Sequence, residues 1–485
     1  MSLLTELTDK GHNQLYIGGE WRESGDGLRI DVLDPATAES LTTVSSGAAD
    51  DARDAVEAAS EAQETWAKTS PRDRSTILAR AHELMIARRD DLAELVVQEM
   101  GKALTEAAGE VTYAAEFFRW YSGEAVRNIG SMMRAPGGDK QIIAIHQPVG
   151  VCLLITPWNF PLAMATRKIG PAIAAGCTMI LKPASDTPLS ALAMARILAE
   201  AGLPPGVLNV LPSNRSSTVV PVILGDDRVR MVSFTGSTEV GRVLLAEAAK
   251  TVVNTSMELG GNAPFLVFED ADIEAAVSGS MIAKMRNGGQ SCIAANRFLV
   301  HEAVAAEFTK QLTAAMKGVR MGPGLEPGCE LGPLINQTAQ DDMAASVELS
   351  LGAGSVLETG GETGRSPGFY FEPTVISGIE SSDPILDREV FGPIAPVVPF
   401  QSDDEAIAMA NDTIHGLAAY LYTADLSRAM RVSEALESGM VGVNRGLISD
   451  PAAPFGGVKQ SGIGREGSHE GMMEFLETKY IAASW

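Results

Sequence analysis

Cys292 closes the run Asn287-Gly-Gly-Gln-Ser-Cys292, a polar loop between a helix over 272–285 and a strand over 298–301. Structural cysteines sit in apolar runs, as Cys152 and Cys177 do here, so a thiol in a polar loop is a candidate nucleophile. Glu258 stands alone at the end of a mostly apolar strand. Such a carboxylate is either capped structurally or held as a base with a raised pKa. Lys182 ends another strand and leads into Pro183, Ala184 and Ser185. It is a fixed cation at a ligand-facing edge or, more ordinarily, a snorkelling surface side chain. Phe234-Thr-Gly236-Ser237 joins a strand to a helix whose N–H groups suit a diphosphate, though an ordinary strand–turn–helix reads the same way. Gly-Ile-Gly-Arg-Glu-Gly at 462–467 fits the GxGxxG fingerprint but neither follows a strand nor opens a helix, so it is read as a connecting loop.

The 485 residues that must position these groups exceed one compact core and suggest two or three domains at roughly 150 residues each. Hydrophobic residues make up 45% and charged residues 21%, which excludes a disordered chain. With 38 basic against 62 acidic side chains, the net charge of −24 repels nucleic acid and anionic membranes at long range. A small anionic ligand then needs local positive charge, so Arg and Lys inside apolar segments carry information. The four cysteines form no CxxC pair and the six histidines no HxxxH or HExxH pair, so no metal site is expected. The start lacks a signal peptide's charge-then-apolar order, and no apolar run is long enough to span a bilayer. A soluble, cytoplasmic protein with no nucleic-acid or membrane partner is expected.

Residues 15–45 read as short strands and Ala49 to about Arg127 as helices; 128–150 carries a Pro-Gly-Gly hairpin signal. Strands over Gly150–Ile155, Thr178–Leu181, Val207–Leu211 and Met231–Phe234 alternate with helices over 162–175, Pro188–Glu200, 216–224 and Glu239–Ala248. That alternation predicts a parallel, doubly wound α/β sheet with ligands at the strands' carboxyl ends, where Thr156–Phe160, Lys182–Thr187, Ser213 and Thr235–Glu239 fall. A second α/β block spans 261–455, with strands at Pro264–Phe268, Phe298–His301 and Val441–Val443, and the tail from about 470 ends in an edge strand.

The motifs gain meaning from their joint order. Thr156-Pro-Trp-Asn-Phe160, Lys182-Pro-Ala-Ser185, Phe234-Thr-Gly-Ser237, Glu258-Leu-Gly-Gly261, Gly289-Gln-Ser-Cys292, Glu389-Val-Phe-Gly-Pro393 and Pro454-Phe-Gly-Gly-Val-Lys459 resemble, in sequence, the signature segments of the aldehyde dehydrogenase superfamily. The resemblance covers essentially the whole chain. It implies an aldehyde dehydrogenase-like fold: a Rossmann-type cofactor-binding domain (1–127 and 149–260), an α/β catalytic domain (261–455) and a small β oligomerisation ribbon (128–148 and 470–485). It further implies Cys292 as nucleophile, Asn159 with the Cys292 N–H as oxyanion donors, and Glu258 as the base that activates water. The implied cofactor contacts are Thr156, Pro157, Trp158, Asn159, Lys182, Pro183, Ala184, Ser185, Ser213, Gly236, Ser237, Leu259, Glu389 and Phe391. Relatives that prefer NAD tend to carry Glu where Ser185 stands; Ser185 beside Lys182 therefore implies that NADP is accepted and preferred, with NAD also used.

Within the superfamily the chain is most similar to succinate-semialdehyde dehydrogenases. Arg167, Arg286 and Ser449 fall where that subfamily binds the substrate carboxylate, unless both arginines serve structural ion pairs. Redox-regulated members carry a second Cys two residues after the nucleophile; Ala294 stands there, and no local disulfide switch is expected. Arg445 replaces the Thr of the best-known relatives, which leaves glutarate or 2-oxoglutarate semialdehyde open. An aromatic (benzaldehyde- or vanillin-type) aldehyde dehydrogenase and a silent binding or structural protein on this scaffold are the competing readings. A homodimer or homotetramer is implied by the ribbon.

Overall fold

Pro161 and Pro188 each occupy the first position of a helix, where the missing N–H costs nothing, and each helix stops at a left-handed glycine, Gly176 (φ 93°) and Gly202 (φ 97°). These helices, Pro161–Ala175 and Pro188–Ala201, flank the first of two sheets in the computed structural model, which describes residues 3–485. The sheet runs Glu20–Arg22, Leu15–Ile17, Leu208–Val210, Thr178–Lys182, Val151–Ile155, Val229–Thr235, Asn254–Glu258, Gly462–Ile463. Its inner strands are parallel, and every residue of Val151–Ile155 and Thr178–Lys182 is buried, as expected of strands covered on both faces. Chain order reverses at Val151–Ile155: the strand that follows lies on one side and Val229–Thr235 on the other. A crevice opens at such a switch point. Thr156–Asn159 and Gly236–Ser237 leave the sheet there.

The second sheet runs Val356–Thr359, Thr374–Ser377, Ile394–Phe400, Ala295–His301, Ala263–Val267, Ala418–Tyr422, Met440–Val443, all parallel except the first pair. Leu476–Ala483 pairs with Gln141–Pro148, and that strand with Ser131–Arg134, in a separate antiparallel ribbon. The expected elements thus exist, with ends shifted by at most three residues, the largest shift being the strand expected at 298–301, which begins at Ala295. One expectation needs correcting: the strand carrying Glu258 is Asn254-Thr-Ser-Met-Glu258, mostly polar in sequence, buried from Ser256 onward and paired on both edges at Met257 and Glu258. The strands at 356–359, 374–377, 394–400 and 418–422 and the Leu3–Asp9 helix are additions to the sequence reading.

Two buried carboxylates close helix starts at the crevice side of the first sheet. Glu110 accepts the Leu162 N–H at 2.9 Å and pairs with Lys102 at 2.5 Å, both side chains wholly buried. Glu99 accepts the N–H groups of Leu189 and Ser190 at 2.8 and 2.9 Å, and burial pushes its carboxyl up to about 7. Both positions satisfy donors that a helix otherwise leaves orphaned. Glu99→Ala should therefore lower stability in urea unfolding by about 1–3 kcal/mol, and Glu99→Gln, which keeps one acceptor oxygen, by less.

Candidate functional site

The segment before Cys292 is a turn of three consecutive left-handed residues, Asn287 (φ 55°), Gly288 (φ 61°) and Gly289 (φ 78°). Glycine adopts this conformation freely and Asn tolerates it. The Asn287 amide donates to the carbonyls of Asn159 (2.8 Å) and Gln290 (3.0 Å), and its N–H to Glu106 at 2.6 Å. Asn159 answers by donating its own amide to the Gln290 carbonyl at 3.1 Å. On the far side, Tyr420 Oη donates to the Ile293 carbonyl at 2.8 Å. The thiol loop is thereby fastened to strands of both sheets. A cavity of about 220 Å³ opens in front of it, with Cys292, Asn159 and Leu259 in its walls.

Burial sets the acid–base state of the pair read as nucleophile and base. The Cys292 thiol is pushed up to about 12, chiefly by burial and against the pull of Arg167. Glu258, 2% exposed, lies well above the carboxylate range, first by burial and then by repulsion from Glu466; neither of its oxygens has a hydrogen-bond partner. The Cys292 thiol is therefore protonated in the resting protein at neutral pH, and burial favours the neutral form of Glu258. Glu466 is anchored by Lys168 at 2.5 Å, which also donates to Ser233 at 2.9 Å.

Arg167 and Arg286 both face the cavity. Arg167 is 2% exposed and donates through Nη2 to Tyr113 Oη (2.6 Å) and Ser449 Oγ (3.3 Å). Its Nη1 stands 3.5 Å from Glu466 without forming a hydrogen bond, and its Nε is equally without an acceptor. Arg286 has no carboxylate within 4 Å among the described residues; it stacks over the rings of Phe160 (4.7 Å) and Tyr113 (5.8 Å). The alternative of two structural ion pairs therefore holds in part for Arg167 alone. Arg445 is exposed, donates to the Leu447 carbonyl and does not border the cavity.

Trp158, Glu389 and Phe391 are shared between this cavity and a wider hollow of about 680 Å³. Ile335 and Asn336 in turn link that hollow to a cleft of about 250 Å³ bordered by Ser185. The walls are continuous from the thiol to Ser185. Along them, Trp158 meets Phe391 edge-on at 5.5 Å, and Glu389, pushed up to about 7 by burial, spends one oxygen on the Gly261 N–H at 3.0 Å. Pro157, Gly236 and Ser237 border the thiol cavity, and Ser237 Oγ caps the Thr238–Ala248 helix by accepting the Val240 N–H. Lys182, 5% exposed, reaches only the Pro183 carbonyl at 3.3 Å, and burial lowers its ammonium to about 8. Thr156 donates its N–H to the Lys182 carbonyl. Pro183 and Ala184 do not border the thiol cavity. Ser213 is saturated within the protein: its hydroxyl donates to the Gly47 carbonyl and accepts the Arg215 N–H. These features fit a dinucleotide. A buried cation lacks a counter-ion, and of the four helix starts along this edge of the parallel strands two are closed by Glu110 and Glu99, while the Ser237-capped one borders the thiol cavity. Among the described residues no group of His, Cys, Asp and Glu is arranged to hold a metal ion, and no helix is long and apolar enough to cross a membrane.

The chain is similar to known proteins along nearly its whole length. The model of the aldehyde dehydrogenase family matches residues 21–481. A succinate-semialdehyde dehydrogenase of Paenarthrobacter nicotinovorans is 54% identical over 91% of this chain and 98% of its own. A glutarate-semialdehyde dehydrogenase of Pseudomonas putida is 48% identical over 97% and 98%. A crystal structure of an E. coli NADP-dependent enzyme superposes with a TM-score of 0.97 at 45% identity, covering 99% of both chains.

Tyr113 borders the thiol cavity, Glu466 stands against Arg167 and Lys168 pairs with Glu466; all three escaped the sequence reading. Tyr113 is one apolar-face residue among many on the Leu104–Glu124 helix, and Glu466 lies inside the motif set aside as a loop. That motif does form a loop, with Gly462–Ile463 paired at the sheet edge and Glu466 bridged to Phe455, and it delivers a buried carboxylate. Removing that charge strands an ammonium. Glu466→Gln should destabilise the protein by about 3–5 kcal/mol in denaturant unfolding, and Glu466→Gln/Lys168→Met should recover most of the loss.

Proposed function

The chain belongs to the aldehyde dehydrogenase family, and from that premise we propose that it oxidises succinic semialdehyde to succinate through a covalent intermediate on Cys292, with NADP preferred over NAD. The observation that carries the substrate is Arg167: a guanidinium 2% exposed, on the cavity wall, with two nitrogens lacking acceptors. Together with the unpaired Arg286 it gives a carboxylate two cationic donors in a chain of net charge −24. Ser449 and Tyr113 hold Arg167 in place.

The Cys292 thiol gives its proton to water, and the thiolate adds to the aldehyde carbon, forming a C–S bond as the carbonyl π bond breaks to an alkoxide. The Asn159 amide and the Cys292 N–H hold the alkoxide. When the carbonyl re-forms, hydride leaves the carbon, and a bound nicotinamide supplies the acceptor for it. Glu258 takes a proton from water as the hydroxide adds to the thioester carbon; the C–S bond then breaks and Glu258 returns that proton to the departing sulfur, releasing the acid and the thiol. Both Cys292 and Glu258 have raised pKa values, so the reactive forms are gained as pH rises. Lys182 and Ser185 are read as the 2′-phosphate contacts, and Glu389 as the partner of the nicotinamide ribose. Residues 1–127 with 149–260 and 261–455 serve as cofactor-binding and catalytic domains. The 128–148 and 470–485 ribbon, with Met132 and Met133 exposed, serves a cytoplasmic homodimer or homotetramer.

A second reading, oxidation of glutarate semialdehyde, is favoured by the Pseudomonas putida relative. One methylene is worth about 10–200-fold in selectivity, so both semialdehydes should turn over. Steady-state rates with succinic and glutaric semialdehydes, benzaldehyde and hexanal test the proposal. Succinic semialdehyde should lead benzaldehyde in kcat/KM by about 100-fold or more, and Arg286→Ala should remove about 10–100-fold of that lead. Equal turnover of benzaldehyde would sink the carboxylate clamp and leave the Cys292 chemistry standing. For the cofactor, the Lys182 ammonium is present below about pH 8 and lost above it. The kcat/KM for NADP should therefore fall as pH rises through about 8 relative to that for NAD, and Lys182→Met should abolish the difference in slope.

A further inference from the structure

Lys284 lies on the Ile273–Met285 helix shortly before Cys292, with 0% of its surface exposed. Its ammonium donates to Asn296 Oδ1 at 3.0 Å, just beyond the nucleophile, and to the Val390 carbonyl at 3.1 Å, between Glu389 and Phe391. Among the described residues no carboxylate lies within 4 Å of it. One nitrogen thus ties three segments together: the helix entering the thiol loop, the strand leaving it, and the loop that borders the cofactor hollow. The loops also touch directly. A Cβ on Gly289 would lie 2.1 Å from the Gly392 carbonyl oxygen, and one on Gly261, whose N–H Glu389 accepts, 2.2 Å from that of Cys292.

A methionine of similar length would fill this space without an ammonium's desolvation penalty, which amounts to several kcal/mol even after relaxation. Burial lowers the Lys284 ammonium to about 7, yet a neutral amine still carries two N–H donors for its two acceptors, so the tie outlasts the charge. We propose that Lys284 is a positioning residue: it fixes the Glu389–Phe391 loop relative to the Cys292 thiol, and so sets the hydride-transfer register without touching either reactant. The inference rests on the functional reading above for its reaction, and on the observed tie alone for its geometry.

The test compares wild type with Lys284→Met, Asn296→Leu and Asn296→Asp. Three readouts are taken: cofactor Kd from quenching of tryptophan fluorescence, single-turnover NADPH formation with succinic semialdehyde per titrated thiol, and cofactor-free acylation of Cys292 by 4-nitrophenyl acetate. Lys284→Met should weaken cofactor binding about fivefold or more and slow hydride transfer about 10–100-fold, with acylation within about twofold of wild type. Asn296→Leu, which breaks the same tie from the acceptor side, should follow it and serves alone if Lys284→Met does not fold. Asn296→Asp keeps an acceptor and should retain both properties. Unchanged Kd and hydride transfer with only a lower Tm would overturn the proposal, as would acylation falling in step with turnover. Failure of the wild type itself to reduce NADP or NAD with any aldehyde would instead overturn the functional reading, and the Kd shift would then decide the role of Lys284.

Discussion

The side-chain amide of Asn287 reaches the carbonyl of Asn159 across 2.8 Å, and the amide of Asn159 returns to the carbonyl of Gln290 across 3.1 Å. This reciprocal pair joins a loop of the first sheet to a loop of the second, and the candidate nucleophile hangs from the junction. A non-glycine residue in the left-handed region stores about 1–3 kcal/mol and persists only where its surroundings over-determine it. Here the surroundings are the Asn159 carbonyl, which also accepts from Lys102 at 2.8 Å, and Glu106, which holds the Asn287 N–H. Were the two sheets to part, the turn would lose its acceptors, and the thiol its place beside Asn159.

The same junction gathers charge. Lys102, Arg167, Lys168, Lys182 and Lys284 are each at most 5% exposed in a chain whose acids far outnumber its bases. Lys102 and Lys168 are matched by Glu110 and Glu466, while Lys182 and Lys284 have only carbonyl or amide acceptors. Glu258 and Glu389, in contrast, are shifted towards neutrality by their burial. An overall negative field and a positive interior coexist because screening weakens the surface charges while the buried ones act over short distances in a poorly screened medium.

Helix starts are the usual anion sites of doubly wound sheets. This protein withdraws two of them by inserting Glu110 and Glu99, and the dinucleotide reading shifts to the Thr238–Ala248 helix and the lone cation of Lys182. The GxGxxG-like run near the end of the chain illustrates the same point from the other side. Its glycines shape a loop, and its buried charged member is Glu466, set against Lys168.

Local rules were enough for the parallel sheet, since Pro161, Gly176, Pro188 and Gly202 mark helix ends and all-apolar strands mark double coverage. They were enough, too, to single out Cys292 in its polar loop and Glu258, Lys182 and Ser237 at strand or helix ends, because those signals lie within a few residues of the side chain concerned. What the chain could not disclose locally was partnership. That Tyr113 and Ser449 hold Arg167, that Ser213 is consumed by Gly47, that Arg286 stacks on Phe160 and that Lys284 ties Asn296 to Val390 are contacts between residues far apart in sequence. The strand bearing Glu258 makes the division plain. Its residues are mostly polar, and only the folded chain around it buries Glu258 and thereby raises the carboxyl above its ordinary range. Residue type and spacing determined which groups can react; desolvation, which depends on everything packed around a group, was decided by the tertiary structure.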